Sequence, residues 1–156
     1  MKYKSNRNVV YSCKYHIVFC PKYRRKVLAG EVEKDFKKIV RDISEEFNVE
    51  LLEIETDKDH VHLLVDCDPQ FGVAKYIKIV KGRSSRILRL KFKHLRTSLP
   101  TLWTNSYFIS TVGGAPISIV KQYIQNQQTS QRPKEKIKWD NFLNEKSQSK
   151  NTKLYT

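Results

Sequence analysis

The sequence predicts an α+β domain, and three observations support that prediction. Short runs of β-branched and aromatic residues alternate with two longer stretches whose apolar residues recur at helical spacing. Polar turns, glycine or proline separate these segments, as expected where strands and helices end. The chain has 156 residues, which is enough to bury one hydrophobic core. We therefore expect a single layer of strands covered by helices.

The first half of the chain predicts a strand, a helix and a hairpin of two strands. Residues 1–9 are polar and are expected to be mobile. The elements that follow are a strand over 11–20, a helix over 31–47 and strands over 49–56 and 60–66. A polar turn, Asp57-Lys58-Asp59, joins the last two strands, so we expect them to pair antiparallel.

The second half of the chain predicts a helix, a strand and a final helix. Residues 71–95 carry apolar residues along one helical stripe, and residues 107–112 predict a fourth strand. Gly113-Gly114 is then expected to end this strand. Pro116 suits the first turn of a last helix, over about 115–128.

The resulting order, β-α-β-β-α-β, matches the ferredoxin-like split βαβ arrangement, an antiparallel sheet with two helices on one face. In that arrangement the strand over 60–66 is central, and the side away from the helices is the open face of the sheet. We expect residues 1–128 to form one domain of this kind, including the C-terminal helix over about 115–128. Residues 129–156 are polar and lysine-rich, and we expect a tail there.

The predicted central strand carries two histidines, His60 and His62, separated by one apolar residue. Because side chains alternate along a strand, both imidazoles point to one side, and Val61, Leu63 and Val65 point to the other. Imidazole is a common metal ligand, and a pair on one face suits a divalent cation. From this pattern alone, a metal site and a solvated pair without a function both remain open.

The charge of the chain points to an anionic partner. Lys and Arg number 30 against 16 Asp and Glu, which gives a net charge of +14 and a pI of about 9.7. Basic residues and aromatic residues cluster together, a mixture that suits nucleic-acid phosphates and bases better than a membrane surface. The candidate DNA-binding residues are Lys22, Arg24, Arg25, Lys78, Lys81, Arg83 and Arg86.

The three cysteines do not predict a zinc or disulfide site. Cys13, Cys20 and Cys67 contain no Cys-x-x-Cys pair and, being three, cannot all pair within one chain; we expect Cys13 and Cys20 to be reduced. The polar N-terminus shows no secretory signal and there is no long apolar run, so we expect a cytoplasmic protein that does not enter the membrane.

The predicted last helix carries Tyr123 and Gln127 on one face, since they are four residues apart. They lie at the edge of an apolar stripe formed by Ile117, Val120 and Ile124. A packed face that presents a phenol and a carboxamide could cover a polar site. Considered without the histidines, simple packing is the better explanation.

Together these segments resemble the HUH transposases that use a single tyrosine, the TnpA type that moves single-stranded insertion sequences. Asp59-His60-Val61-His62-Leu63 resembles the HUH motif, in which two histidines flank one large apolar residue. Residues 120–127 resemble the tyrosine helix of that family. The resemblance covers most of residues 10–128, and its other segments are residues 15–24, 81–86 and 103–114.

The resemblance implies an enzyme that cuts and rejoins single-stranded DNA at the ends of an insertion sequence. It implies that Tyr123 is the nucleophile, forming a 5′-phosphotyrosine, and that His60, His62 and Gln127 bind Mg²⁺ or Mn²⁺. Imidazole by itself favours Mn²⁺ over Mg²⁺. The resemblance also implies recognition of DNA hairpins, and a homodimer in which the tyrosine helix can serve the partner's histidines.

Other classes of protein remain as alternatives. A replication-initiator or relaxase nuclease with an HUH motif is one, although such proteins are usually longer. A non-catalytic, nucleic-acid-binding ferredoxin-like module is another, but the aromatic consensus of the RNA-binding type is absent. A zinc deaminase is excluded because the chain lacks His-x-Glu with Pro-Cys-x-x-Cys.

Overall fold

The main sheet is four-stranded and antiparallel in the computed structural model of the chain, which describes residues 3–112, 122, 124 and 125. The elements in chain order are β1 Lys4–Ser5, β2 Val10–Tyr11, β3 Lys14–Phe19, a short 3-10 turn Lys22–Arg24, α1 Gly30–Glu46, β4 Glu50–Asp57, β5 His60–Asp66, α2 Val73–Lys91, α3 Lys93–Thr97 and β6 Phe108–Thr111. The strand order β4-β5-β3-β6 places β5 and β3 in the centre. The ferredoxin-like α+β prediction is confirmed.

The core lies between the sheet and the two long helices. On β5, Val61, Leu63 and Val65 are fully buried, as alternation along the strand requires. Ile17 of β3 lies directly opposite Leu63, and Phe19 lies opposite Val61, so both central strands direct the same face to the core. Each fully buried aliphatic side chain contributes about 1.5–3 kcal/mol relative to an exposed one.

Helix α1 forms because its apolar residues fall on one stripe that faces the sheet. Val32, Phe36, Val40 and Ile43 are buried along that stripe. The helix ends before Asn48, whose φ of 54° is left-handed, a conformation that asparagine tolerates better than most residues.

Helix α2 buries a stripe that includes a tyrosine and a serine, and both are hydrogen-bonded. The hydroxyls of Tyr76 and Ser44 are 2.7 Å apart, which links α2 to α1. The indole nitrogen of Trp103 donates to Ser84 over 2.9 Å, which fixes the segment before β6 against α2. Buried polar groups without partners would destabilise the core, so these two bonds make the polar stripe compatible with packing.

Three details differ from the sequence prediction. The N-terminal segment, expected to be mobile, contains β1, which pairs with β2. The single strand expected over 11–20 is divided, because Tyr11 belongs to β2 and residues 14–19 form β3. The helix expected over 71–95 is divided at Phe92, whose backbone is extended with φ −112° and ψ 102°. Strand β4 has an irregularity between Leu51 and Glu53, which leaves Leu52 without a paired position.

The predicted helix over about 115–128, with Tyr123 and Gln127, and the tail over 129–156 lie outside the described residues apart from 122, 124 and 125. Within the described part of the chain, no helix has the length and apolar character needed to cross a membrane.

Candidate metal centre on the open face of the sheet

His60 and His62 lie together on the side of β5 that faces away from the helices. Both are half-buried, while Val61 between them is fully buried in the core. The strand places them there because its apolar residues occupy every second position. In the register with β4, His60 lies opposite Asp57 and His62 lies opposite Glu55.

The ring of His60 is held by a carboxylate and a guanidinium. Its Nδ1 lies 2.9 Å from Oδ1 of Asp59, and Oδ2 of Asp59 accepts a hydrogen bond from Nε of Arg24 over 2.7 Å. The side chain of Asp59 is 11% exposed and that of Arg24 is 17% exposed, so water competes little for these bonds. Burial raises the pKa of Asp59, but the hydrogen bonds from His60 and Arg24 outweigh it and leave that pKa below its ordinary value.

Arg24 reaches Asp59 from a tight turn with an unusual backbone. Tyr23 and Arg24 have φ values of 59° and 51°, so two successive non-glycine residues are left-handed. Such residues cost about 1–3 kcal/mol each and occur often at functional sites. The turn is anchored on both sides: Lys22 N donates to Leu102 O over 2.8 Å, and Leu28 N donates to Lys58 O over 3.0 Å.

The ring of His62 is held by another histidine, His16 of β3. Nδ1 of His16 and Nε2 of His62 are 3.0 Å apart, so one of these nitrogens donates to the other. The ring planes are within 11° of parallel and the ring centroids are 5.2 Å apart. Because the centroids are much further apart than the nitrogens, the rings meet edge to edge and do not stack face to face.

The surroundings of His62 favour its neutral form. Burial lowers the pKa of His62, and the neighbouring His16 ring lowers it further, while Glu55 acts in the opposite direction. A neutral imidazole is the form that binds a metal ion.

Asp57, Asp59 and His60 also form a cluster whose ligand atoms all lie within 4.8 Å of one another. Both oxygens of Asp59 are already hydrogen-bonded, and Oδ1 of Asp57 accepts from the Lys58 backbone over 2.7 Å. The carboxylate of Asp59 is therefore better placed to orient His60 than to bind an ion itself.

The donor chemistry of the two histidines fits a divalent cation. In a neutral ring, the hydrogen bond from Nδ1 of His60 to Asp59 leaves the lone pair on Nε2, where it is available to a metal ion. His62 offers Nδ1 when its Nε2 donates to His16. Two imidazoles leave coordination positions for oxygen ligands, unlike a closed zinc site with four protein ligands. Gln127, the third ligand implied by the family resemblance, and Tyr123 lie outside the described residues.

Three of the seven basic candidates make polar contacts within the protein. Arg24 binds Asp59, and Arg83 binds Glu46 with a nitrogen–oxygen distance of 2.5 Å. Nζ of Lys81 donates to two backbone carbonyls, at 2.6 Å on Thr104 and 3.1 Å on Ser106. Burial lowers the pKa of Lys81 to about 8.

The other four candidates are more accessible to a partner. Lys22 lies over the ring of Tyr23, and Arg25 is exposed. Lys78 and Arg86, together with Lys75 and Arg83, line a groove of about 590 Å³ along the outer side of α2. This basic groove, defined by Lys75, Lys78, Arg83 and Arg86, lies on the helix layer, on the other side of the sheet from His60 and His62.

Two features of the site were missed by the sequence analysis. His16 received no role, although alternation along β3 places it on the face opposite to buried Ile17. Arg24 was assigned to DNA, because nothing local shows that residues 35 apart, Arg24 and Asp59, form an ion pair. The signal for Asp59 was present, since a carboxylate directly before a candidate ligand histidine can reach its ring.

Comparison with known proteins identifies the class of this protein. A family model described as "Transposase IS200 like" matches residues 9–127, most of the chain. The chain belongs to this family of transposases and is a DNA-processing enzyme. The family resemblance inferred from the histidine and tyrosine segments is confirmed.

Individual relatives agree with this assignment. The ISDra2 transposase TnpA of Deinococcus radiodurans is 36% identical over 129 residues, covering 81% of this chain and 92% of the relative. The transposase for insertion sequence element IS200 of Salmonella typhimurium is 37% identical over 129 residues, covering 80% of this chain and 82% of the relative. A crystal structure from Deinococcus radiodurans R1, described as a candidate transposase, has a TM-score of 0.73 at 37% identity, covering 80% of this chain and 97% of that chain.

Proposed function

We propose that this transposase cleaves and rejoins single-stranded DNA through a covalent 5′-phosphotyrosine on Tyr123. His60, His62 and Gln127 would bind Mg²⁺ or Mn²⁺ beside it. The observation that carries the proposal is the pair of imidazoles on the open face, with His60 fixed by Asp59 so that Nε2 is free. Membership of the transposase family favours this reaction over that of a replication initiator or a passive binding module.

The proposed reaction conserves the energy of the phosphodiester. The phenolic oxygen of Tyr123 forms a bond to the scissile phosphorus, and the bond from phosphorus to the 3′ oxygen breaks. The phenol loses its proton, and the leaving 3′ oxygen takes one up to become a hydroxyl. Attack by a 3′-hydroxyl on the adduct reverses these steps and joins two strands, so no nucleoside triphosphate is consumed. A divalent cation, when bound, supplies neutralisation of the phosphate charge.

The described residues contribute orientation and charge. Asp59 and His16 each fix one of the two imidazoles, so little rotational freedom has to be lost when the site assembles. The imidazoles are neutral ligands, which leaves the net positive charge of a bound cation available to the phosphate.

We expect the DNA to be recognised as a hairpin through its phosphates and unpaired bases. The basic groove on α2 is the best candidate for phosphate contact, because Lys78 and Arg86 make no ion pair with other described residues. Phosphate contacts of this kind give affinity that decreases steeply with salt. Exposed Tyr23, next to Lys22 and Arg25, could stack on an unpaired base.

The covalent step can be tested directly. The full chain is incubated with a hairpin-containing single-stranded oligonucleotide and Mn²⁺ or Mg²⁺, and the adduct is measured by mass spectrometry. Tyr123→Phe should abolish the adduct while hairpin binding persists. Tyr3→Phe is the matched control, because Tyr3 is 64% exposed and should be dispensable. An adduct that persists in Tyr123→Phe would show that another residue is the nucleophile.

We further propose a homodimer in which the tyrosine helix of one subunit serves the histidines of the other. His60→Ala and Tyr123→Phe subunits are mixed under conditions in which subunits exchange. If sites are shared between subunits, the heterodimer regains one intact site and adduct formation recovers. Absence of recovery, with exchange verified by native mass spectrometry, would contradict shared sites.

A further inference from the structure

Arg24 and Asp59 form a chain of hydrogen bonds that ends on His60. The function proposed above uses Asp59 only to orient the His60 ring and gives Arg24 no role. The guanidinium Nε of Arg24 can only donate a hydrogen bond, because arginine has no acceptor. The carboxylate of Asp59 can only accept, one bond on each oxygen, at 2.7 Å from Arg24 and 2.9 Å from His60. Nδ1 of His60 must therefore be the protonated nitrogen.

We infer that Arg24 and Asp59 are positioning residues that lock His60 in the tautomer whose Nε2 carries the lone pair for a metal ion. The inference rests on the proposed function, because it takes His60 as a metal ligand. Arg24 matters because it fixes the orientation of the carboxylate, and its left-handed backbone brings it within reach. Partners of this kind, one step removed from the ion, typically change metal affinity by about 10–100-fold.

A direct measurement on the unmodified protein tests the tautomer. Ring ¹⁵N chemical shifts of the metal-free full chain are recorded near neutral pH, and His60→Gln is used to assign the His60 signals. We expect Nδ1 of His60 to be protonated and Nε2 to be unprotonated. A neutral His60 ring whose single proton lies on Nε2 would overturn the inference, and this measurement needs no variant at Asp59.

Substitution of Asp59 by asparagine should reverse the tautomer. An asparagine side chain has one oxygen acceptor, but it would meet two donors, Arg24 and His60. Because Arg24 cannot accept, the oxygen turns to Arg24 and the amide NH₂ faces His60. Nδ1 of His60 then has to accept, and the proton moves to Nε2. We expect Asp59→Asn to weaken Mn²⁺ binding, measured by electron paramagnetic resonance, by about 10–100-fold.

Asp57→Asn is the matched control for Asp59→Asn. It removes the same charge from the same turn, but Asp57 is exposed and bonds Lys58 rather than His60. Its effect on Mn²⁺ affinity should be about twofold or less, the size of a screened surface charge effect. Equal weakening in both variants would overturn the inference, because charge loss or ligation by the acidic cluster would then explain the result.

A double variant tests the part assigned to Arg24. In Arg24→Ala/Asp59→Asn the competing donor is absent, so the asparagine oxygen is free to accept from Nδ1 of His60. We expect Mn²⁺ affinity and the His60 ¹⁵N shifts to move back towards those of the wild type. Affinity as low as that of Asp59→Asn alone would overturn the role of Arg24. Recovery on removal of a second side chain is not expected from a residue that only supports folding.

Failure of this inference can be distinguished from failure of the proposed function. If the wild type binds Mn²⁺ and shows the expected tautomer but forms no DNA adduct, the proposed function fails. The inference that Arg24 and Asp59 fix the tautomer of His60 then still stands. If the adduct forms while the neutral His60 ring carries its proton on Nε2, the inference about Arg24 and Asp59 fails and the proposed function stands.

Discussion

The two faces of strand β5 are held by different kinds of interaction. On the core face, Val61, Leu63 and Val65 pack against helices, and apolar residues of similar volume would serve as well. On the open face, each histidine depends on one hydrogen bond: His60 donates to Asp59, and His62 shares a hydrogen bond with His16. Most of the stabilising burial therefore lies on one face of the strand and the proposed metal site lies on the other, so substitutions on the two faces should have separable effects.

The largest effect is expected on the open face, from His60→Ala. Loss of a ligand should lower the rate of divalent-dependent DNA cleavage by at least about 1,000-fold, or about 4 kcal/mol. The free energy of unfolding should change by only about 1 kcal/mol or less, because the side chain packs little of the core. Cleavage is measured on a labelled hairpin oligonucleotide, and stability by urea denaturation.

His94→Ala is the control for that experiment, since His94 lies on α3 against Phe92 and not on the sheet. Cleavage should be retained in this variant. Full cleavage by His60→Ala in the presence of a chelator would contradict a metal site at His60.

The next largest effect is expected on the core face, from Leu63→Ala. This fully buried residue should lose about 2–5 kcal/mol of unfolding free energy when it is truncated, through lost burial and a cavity. Leu64→Ala makes the same chemical change one position along, on the open face, where the residue is half-buried. It should cost distinctly less. Equal losses in urea denaturation would mean that the open face is packed as tightly as the core.

A smaller effect, dependent on pH, is expected at Lys81, which ties α2 to the segment before β6. Burial lowers the pKa of Lys81 to about 8 in the folded chain, against 10.5 for an exposed lysine. Between these pH values the unfolded chain binds the proton and the folded chain does not, so stability from this group rises with pH, by at most about 1.4 kcal/mol per pH unit. Below pH 8 both states are protonated and the contribution is constant.

Lys81→Met removes this dependence. The unfolding free energy of the wild type minus that of the variant should therefore increase between pH 8 and pH 10. A difference that stays level across that range would contradict the lowered pKa, and would mean that the two carbonyl contacts keep the ammonium charged.

The smallest effect is expected in the basic groove, on the helix side of the sheet. Lys78→Gln should weaken hairpin binding modestly and reduce the slope of log affinity against log salt by about 1, as for one phosphate contact. Lys38→Gln is the control, because Lys38 is a highly exposed lysine on α1 outside the groove. Equal slopes for both variants in a fluorescence anisotropy titration would place the hairpin elsewhere.

Local pattern predicted the core face well. The bounds of β5 follow from alternating apolar residues, and α1 follows from its apolar stripe, because both signals depend on neighbours a few residues apart. The break at Phe92 was missed because the apolar spacing continues through it into α3.

The partners on the open face could not be predicted in the same way. The contact between His16 and His62 joins residues 46 apart, and it depends on the register between β3 and β5. The contact between Arg24 and Asp59 also depends on a left-handed turn at Tyr23 and Arg24. The sequence does not predict that turn, because neither residue is a glycine or an asparagine. Hydrogen bonds between distant segments leave no periodic trace in a sequence, so the identity of these partners required coordinates.

Strand β4, which lies at one border of the described sheet, has a consequence for how the protein behaves when it is crowded. Glu53 and Glu55 are exposed along it, Glu50 forms an ion pair with Lys4, and the irregularity at Leu52 interrupts its backbone ladder. If a second copy paired its own β4 with this edge, negative side chains would be brought together along a strand whose hydrogen-bonding register is irregular. Although the whole chain has a net charge of +14, this edge strand carries negative charge. Repulsion between two such edges should disfavour the edge-to-edge strand pairing from which fibrils grow.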